Sequence, residues 1–283
     1  MYTRDCYCPN PYIDIHYSHG LFEKSSTINY LHYDKDLILE FYRVGESDIH
    51  IEGNHYHISD GDMIILNPDE LHVSTRKDNS YFEKIVFHIK DTLLYPFGGD
   101  RNTFFDTLSK KPKGIGNLIP KEKVMDIGLD QIVNYCLSLA QKGIFEAQIL
   151  ITCKTVELLS ELSKLIKKTN ISNQPVSANK TVNLMIEYIN KHYTENITLE
   201  FLSEKFHFSK YYIAHLFKQN VGISPNDYLI IRRLYECNNL IRANYTIKEA
   251  CYFVGFNNYS NFYRLYKKHL NITPQQFKET VKT

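Results

Sequence analysis

Apolar positions change their period along this chain of 283 residues. Up to about residue 89 they come in short β-branched and aromatic runs: LILEFY, DIHIEG, HYHIS, DMIIL and FEKIVFHI. Turn signals at Glu52-Gly53-Asn54 and Asp60-Gly61-Asp62 separate those runs. Short alternating runs broken by such turns predict a compact antiparallel sheet or barrel over residues 13–89. Beyond it the period becomes helical. Two stretches, 121–142 and 145–168, read as helices, and the second carries Val156, Leu158, Leu159, Leu162, Leu165 and Ile166. So wide an apolar surface covers either the barrel plus a partner subunit or simply the chain's own core. On the first reading Val156, Leu158, Leu159 and Leu162 are dimerisation candidates in a homodimer.

The segment 169–180, TNISNQPVSANK, is polar and holds a proline, as an interdomain linker does. After it nearly everything is helical. Val182, Met185, Ile186, Ile189 and Tyr193 recur at helical spacing. Thr198, Ser209, Ser224-Pro225, Thr246 and Thr273-Pro274 are start signals for five further helices. The pattern divides the chain at 1–120, 121–168, 169–180 and 181–283.

Within the last division, 247–278 reads as a short helix, a tight turn at Gly255 and a second helix, and 198–225 repeats the plan. The second helix of such a unit enters the major groove, so one face must be buried and the other presented. On the first such helix Ile213, Leu216 and Phe217 form the inner face, and Tyr211, Ala214, His215 and Lys218 the outer. On the other, Phe262, Leu265 and Tyr266 face inward, while Ser260, Tyr263, Arg264 and Lys267 face outward beside Tyr259 and Asn261. Arg264 suits a bidentate contact with guanine and Asn261 one with adenine, each discriminating by about 1–3 kcal/mol. Lys210, Lys218, Lys267 and Lys268 suit phosphate contacts, which position without specifying.

Charge sharpens this division. From Pro175 onward there are 14 Lys/Arg against 8 Asp/Glu, whereas the remainder holds 19 against 24. A basic end beside an acidic body points to one half for nucleic acid and another for a different task. No apolar run is long enough to span a bilayer and the first residues lack a signal-peptide core, so a cytoplasmic protein with no membrane partner is expected. Cys6 and Cys8 form a pair with no second cluster, too little for a tetrahedral metal site. No cofactor is expected.

The order of residues from Leu199 to Pro274 resembles the DNA-binding domain of the AraC/XylS family of bacterial transcription regulators. The resemblance runs through Leu199, Ser209, Phe217-Lys218, Gly222, Tyr228, Arg233-Leu234, Leu240-Ile241, Ile247, Gly255-Phe256, Ser260, Phe262, Tyr266-Lys267 and Thr273-Pro274. It implies two tandem helix-turn-helix modules joined by a linker helix, and double-stranded DNA as partner. An activator of this kind has RNA polymerase as a further partner. Departures occur at Phe206-His207-Phe208, where the family often turns on Gly, and at Ser203, Cys237 and Cys251 in place of Ala. Asn271 stands where Gly is usual.

Residues 32–72 resemble, more loosely, the cupin-type barrel that many family members use to bind an effector. His32, Asp34, Glu40, Gly61-Asp62, Pro68 and His72 carry that resemblance. The expected fold is therefore α+β: an N-terminal cupin-like β-barrel with a helical hairpin, then the all-α domain. His32, Glu40 and His72 are effector-site candidates, with Tyr42 and Phe87 beside them if strand alternation turns them inward. The effector implied is a small polar metabolite such as a sugar. Two alternatives stand beside this reading: a metal-dependent cupin enzyme with a DNA-binding tail, using His32, Glu40 and His72, and a regulator without an effector.

Overall fold

The computed structural model describes residues 2–22, 34, 36–52, 54–68, 70–76, 79–97, 113–169, 180–270 and 272–282. They fall into two units, one on either side of the segment 170–179.

The N-terminal unit is built on two antiparallel sheets. The larger has the order β1 (Tyr2–Asn10), β2 (Ile13–Leu21), β8 (Tyr81–Ile89), β3 (Leu37–Val44), β6 (Met63–Leu66) and β9 (Leu118–Ile119). The smaller has the order β5 (Asn54–Ile58), β4 (Ser47–Ile51) and β7 (His72–Thr75). Successive side chains in a strand point to opposite faces, so β3 and β8 each serve two cores. Ile38, Tyr42, Ile64 and Val86 meet Ile49, Ile51, Tyr56 and Ile58 of the smaller sheet. Leu37, Leu39, Phe41, Ile85, Phe87 and Ile89 line the other face. That outer face is covered by α1 (Lys121–Asp126), α2 (Leu129–Lys142) and α3 (Phe145–Thr169).

Three sequence expectations change here. The pattern predicts one helix over 121–142, but Gly128 adopts φ 71° and divides it into α1 and α2. The pattern starts the sheet at about residue 13, and Thr3, Arg4 and Asp5 offer no apolar alternation. Backbone pairing with β2 makes β1 regardless, with Arg4 opposite Ser18 and Cys6 opposite His16. The third change concerns the dimerisation candidates. Leu158, Leu159 and Leu162 are fully buried in the core beneath the larger sheet, and Val156 packs against that core half-buried. Those leucines serve their own subunit and are not available to a second one. The apolar side chains that α3 does expose are Phe145 (70%), Ile149 (53%) and Leu150 (43%).

The C-terminal unit is helical: α4 (Lys180–His192), α5 (Leu199–Phe206), α6 (Lys210–Val221), α7 (Pro225–Arg242), α8 (Ile247–Phe253), α9 (Tyr259–Leu270) and α10 (Pro274–Lys282). Its starts fall where the capping residues stand. The side chains of Thr198, Ser209 and Ser224 accept from the backbone N–H of Phe201, Tyr212 and Asp227, and Thr246 forms a capping box with Glu249. Each such cap satisfies an N–H that the helix cannot bond itself, worth about 1 kcal/mol. Leu234, Cys237 and Ile241 of α7 pack on Ala250, Cys251, Val254, Phe262 and Tyr266. Cys237 and Cys251 behave as small apolar residues, burial pushing their thiols up to about 12 and about 11. Arg233 fastens α7 to the end of α4, donating to the carbonyls of Tyr193 (2.6 Å) and Glu195 (2.7 Å).

Candidate nucleic-acid interface and effector site

Two helix pairs repeat in the C-terminal unit, α5 with α6 and α8 with α9. In the first, the chain turns at His207, which takes φ 59°, and the Ser203 hydroxyl closes the turn on the Phe208 carbonyl at 2.5 Å. In the second it turns at Gly255 (φ 93°), where a Cβ would lie 2.4 Å from the carbonyl oxygen of Thr194. Only glycine fits there, whereas the first turn tolerates a side chain at some cost in strain.

The inner faces lie as the pattern predicts. Ile213 and Phe217 of α6 and Phe262 and Tyr266 of α9 are buried, while Leu216 and Leu265 are half-buried. Lys210, Tyr211, His215 and Lys218 are exposed on α6, and Tyr211 is 82% so; Ala214 is half-buried between them. On α9 the exposed set is Tyr259, Ser260, Asn261, Tyr263, Arg264 and Lys267. Two details escape periodicity. Lys210 pairs with Glu200 of α5 at 2.7 Å, and that ammonium holds the Glu200 carboxyl below its ordinary range. Arg264 donates to the Asn261 side-chain oxygen at 3.0 Å, and the Asn261 backbone N–H donates to Asn258 at 2.8 Å. The guanidinium and the amide thus stand together on one exposed face, each with donors left for base edges.

A family profile described as a helix-turn-helix domain matches residues 202–280. The C-terminal unit thus carries a helix-turn-helix domain. The HTH-type transcriptional regulator YbfI of Bacillus subtilis is 22% identical over 265 residues, 89% of this chain and 86% of its own length. The HTH-type transcriptional activator RhaS of Salmonella schwarzengrund is 20% identical over 233 residues, 82% of this chain and 81% of its own. A solved structure of ToxT from Vibrio cholerae aligns with 99% of this chain and 98% of its own at 16% identity, with a TM-score of 0.36.

The helix-turn-helix domain leaves the N-terminal candidates to be placed. His32 lies outside the described residues. Glu40 is buried and accepts from the Tyr42 hydroxyl and the Lys84 ammonium, both at 2.7 Å. Burial alone would raise its carboxyl, but Lys84 and Tyr42 hold it down to about 2. His72 is buried with Nδ1 2.9 Å from the Glu70 carbonyl and Nε2 3.5 Å from Asp34. Tyr42 turns inward between the sheets and packs in their apolar core. Phe87 does not. It sits one position out of phase, on the outer face under the helices, so it is withdrawn as a lining residue.

Periodicity also missed a polar set on the inner side of the larger sheet. His16 Nδ1 accepts from Arg4 (Nη2 2.8 Å, Nε 3.2 Å) and lies 3.3 Å from the Cys6 sulfur. Its ring is 4.8 Å from that of His88, and burial, Arg4 and His88 lower its pKa to about 4. Lys84 stands opposite Ser18, and His88 opposite Asp14, on the strand pair β2–β8. The parity of FEKIVFHI carried the signal, since Lys84 and His88 share a face with Val86. Among the described residues no group of three His, Cys, Asp or Glu is placed to hold a metal, and no helix is long and apolar enough to cross a membrane.

Proposed function

We propose that this chain is a ligand-responsive transcription regulator whose two helix pairs read one DNA segment together. The pair of Arg264 and Asn261, exposed on a helix whose opposite face is buried, is the observation that carries the reading. Phosphate contacts come from Lys218, Lys267 and the neighbouring Lys268, all exposed. α7 acts as the linker helix that spaces α6 and α9 for successive major-groove faces. The N-terminal sheets form a cupin-like effector domain for a small polar metabolite. Its ligand must favour one arrangement of the protein over another, since equal affinity for both shifts nothing. Activation through RNA polymerase is the output the resemblance and the likeness to RhaS favour.

The helical layer remains the dimerisation surface in this reading, moved from the buried leucines to Phe145, Ile149 and Leu150. Ile149→Glu should then give monomers at unchanged thermal stability, measured by sedimentation. The metal-dependent enzyme is disfavoured, because Glu40 is already committed to Lys84 and Tyr42 and would have to abandon both to bind a metal. Selection of bound duplexes from a random library tests the central claim. The expected product is two short motifs about 10 base pairs apart. A single short motif would remove the tandem reading, and no enrichment would remove sequence-specific binding.

A further inference from the structure

Arg76 lies just past β7, at the end of the smaller sheet. Its guanidinium sits over the Phe82 ring at 4.2 Å and near the Tyr42 ring at 5.6 Å. Its Nε and Nη2 atoms are shielded from solvent and have no hydrogen-bond partner among the described residues. Those two nitrogens form one edge of the guanidinium, the fork that matches the two oxygens of a carboxylate. With aromatic rings against the cation, that edge is where it can take up an anion.

No described residue around it satisfies that edge. Glu40, the buried carboxylate nearest Tyr42, already accepts from Lys84 and Tyr42. Lys84 itself has a lowered pKa, through burial first, with Arg76 and Arg4 adding to the effect against Glu40. Arg76 and Lys84 therefore gather positive charge on the inner side of the sheets, with the exposed Arg4 adding to the field. Leaving charged donors unmade in a protein interior is costly, and a neutral sugar hydroxyl does not balance a charge.

We infer that the effector is a small organic carboxylate, held side-on by Nε and Nη2 of Arg76, with Lys84 adding to the field. The inference rests on the effector-domain reading and narrows it to a ligand class.

The test is thermal unfolding of the full chain with acetate, butyrate, hexanoate and benzoate, against inorganic phosphate, hexanol and glucose at matched ionic strength. A rise of several degrees with at least one carboxylate and none with the uncharged probes is expected. Arg76→Met should abolish that rise while leaving the ligand-free transition as high as before or higher, because an unbalanced charge has gone. Arg76→Lys, which keeps the charge but loses the fork, should weaken carboxylate binding by tenfold or more, and it decides the matter if Arg76→Met does not fold. A carboxylate response unchanged in either variant would overturn the assignment. So would a response to glucose or phosphate alone, and in that case the effector domain stands while the ligand class falls. No response to any probe would overturn the carboxylate and count against the effector domain as well.

Discussion

The two helix pairs of the DNA-binding unit share a scaffold and differ in what they present. Both open on a capped helix and bury the apolar face of the second helix. The first pair turns on His207 and offers a stacked Tyr211 and His215, with ring centroids 6.3 Å apart, around a half-buried Ala214. Its Lys210 is engaged by Glu200. The second pair turns on Gly255 and presents Arg264 joined to Asn261. Guanidinium and amide groups can match base edges with two hydrogen bonds, whereas aromatic rings mainly contribute contact area. One fold thus presents base-matching hydrogen-bonding groups on one helix and mainly aromatic surface on the other, and side chains on a single face make the difference.

The sharpest way to break the comparison is at the turns. Gly255→Ala adds a Cβ 2.4 Å from the Thr194 carbonyl at a positive φ. The backbone there has no flexible side chain to move aside, so a loss on the order of 3 kcal/mol is expected. Thermal unfolding should register it, and affinity for the selected duplex should fall toward that for random DNA. Unchanged stability would show that the second turn is no more constrained than the first.

Next in size is the reading pair. Arg264→Ala should weaken binding to the selected duplex by about 10–100-fold, matching 1–3 kcal/mol, with a much smaller effect on random DNA. His215→Ala should cost less than Arg264→Ala on the selected duplex. Competition titrations on both duplexes check this, and equal losses for the two variants would make the helices equivalent readers.

How much of this was legible in sequence depended on whether the signal was local. The caps at Thr198, Ser209, Ser224 and Thr246 act within four residues, so the helix starts could be read directly. Burial of Phe262 and Tyr266 followed from a 3.6-residue period. The face taken by Phe87 did not, because a two-residue period has two equally good phases and only the opposite sheet selects one. Leu158, Leu159 and Leu162 misled for a related reason. An apolar stripe records that something covers it, and whether that is one's own sheet or a second subunit is a tertiary fact. Arg76 gave no sequence signal at all. What marks it is the hydrogen bonds it fails to make.

A smaller effect separates two lysines of α6 by phosphate contact. Lys218 is exposed with no ion pair among the described residues, whereas Lys210 is held by Glu200. Lys218→Ala should weaken specific and random duplexes alike and reduce the slope of log affinity against log salt by about one. Lys210→Ala should change that slope less. A reversed order would mean that the Glu200 pair opens on DNA and that Lys210 is the true phosphate contact.

The smallest effect tests whether the first turn is strained without purpose. His207 holds φ 59° on an exposed C-cap, a conformation costing an L side chain about 1–2 kcal/mol. Glycine relieves that strain but gives back about 0.5–1 kcal/mol through its freer unfolded chain. His207→Gly should therefore stabilise the unit by roughly 0.5–1 kcal/mol. If the His207 ring takes no part in binding, affinity for the selected duplex and for random DNA should both stay as they were while the unfolding temperature rises. A gain in stability together with a loss of specific affinity would place the His207 ring at the DNA. The strain in that turn would then serve recognition, and the first pair would read DNA through its turn as well as through α6.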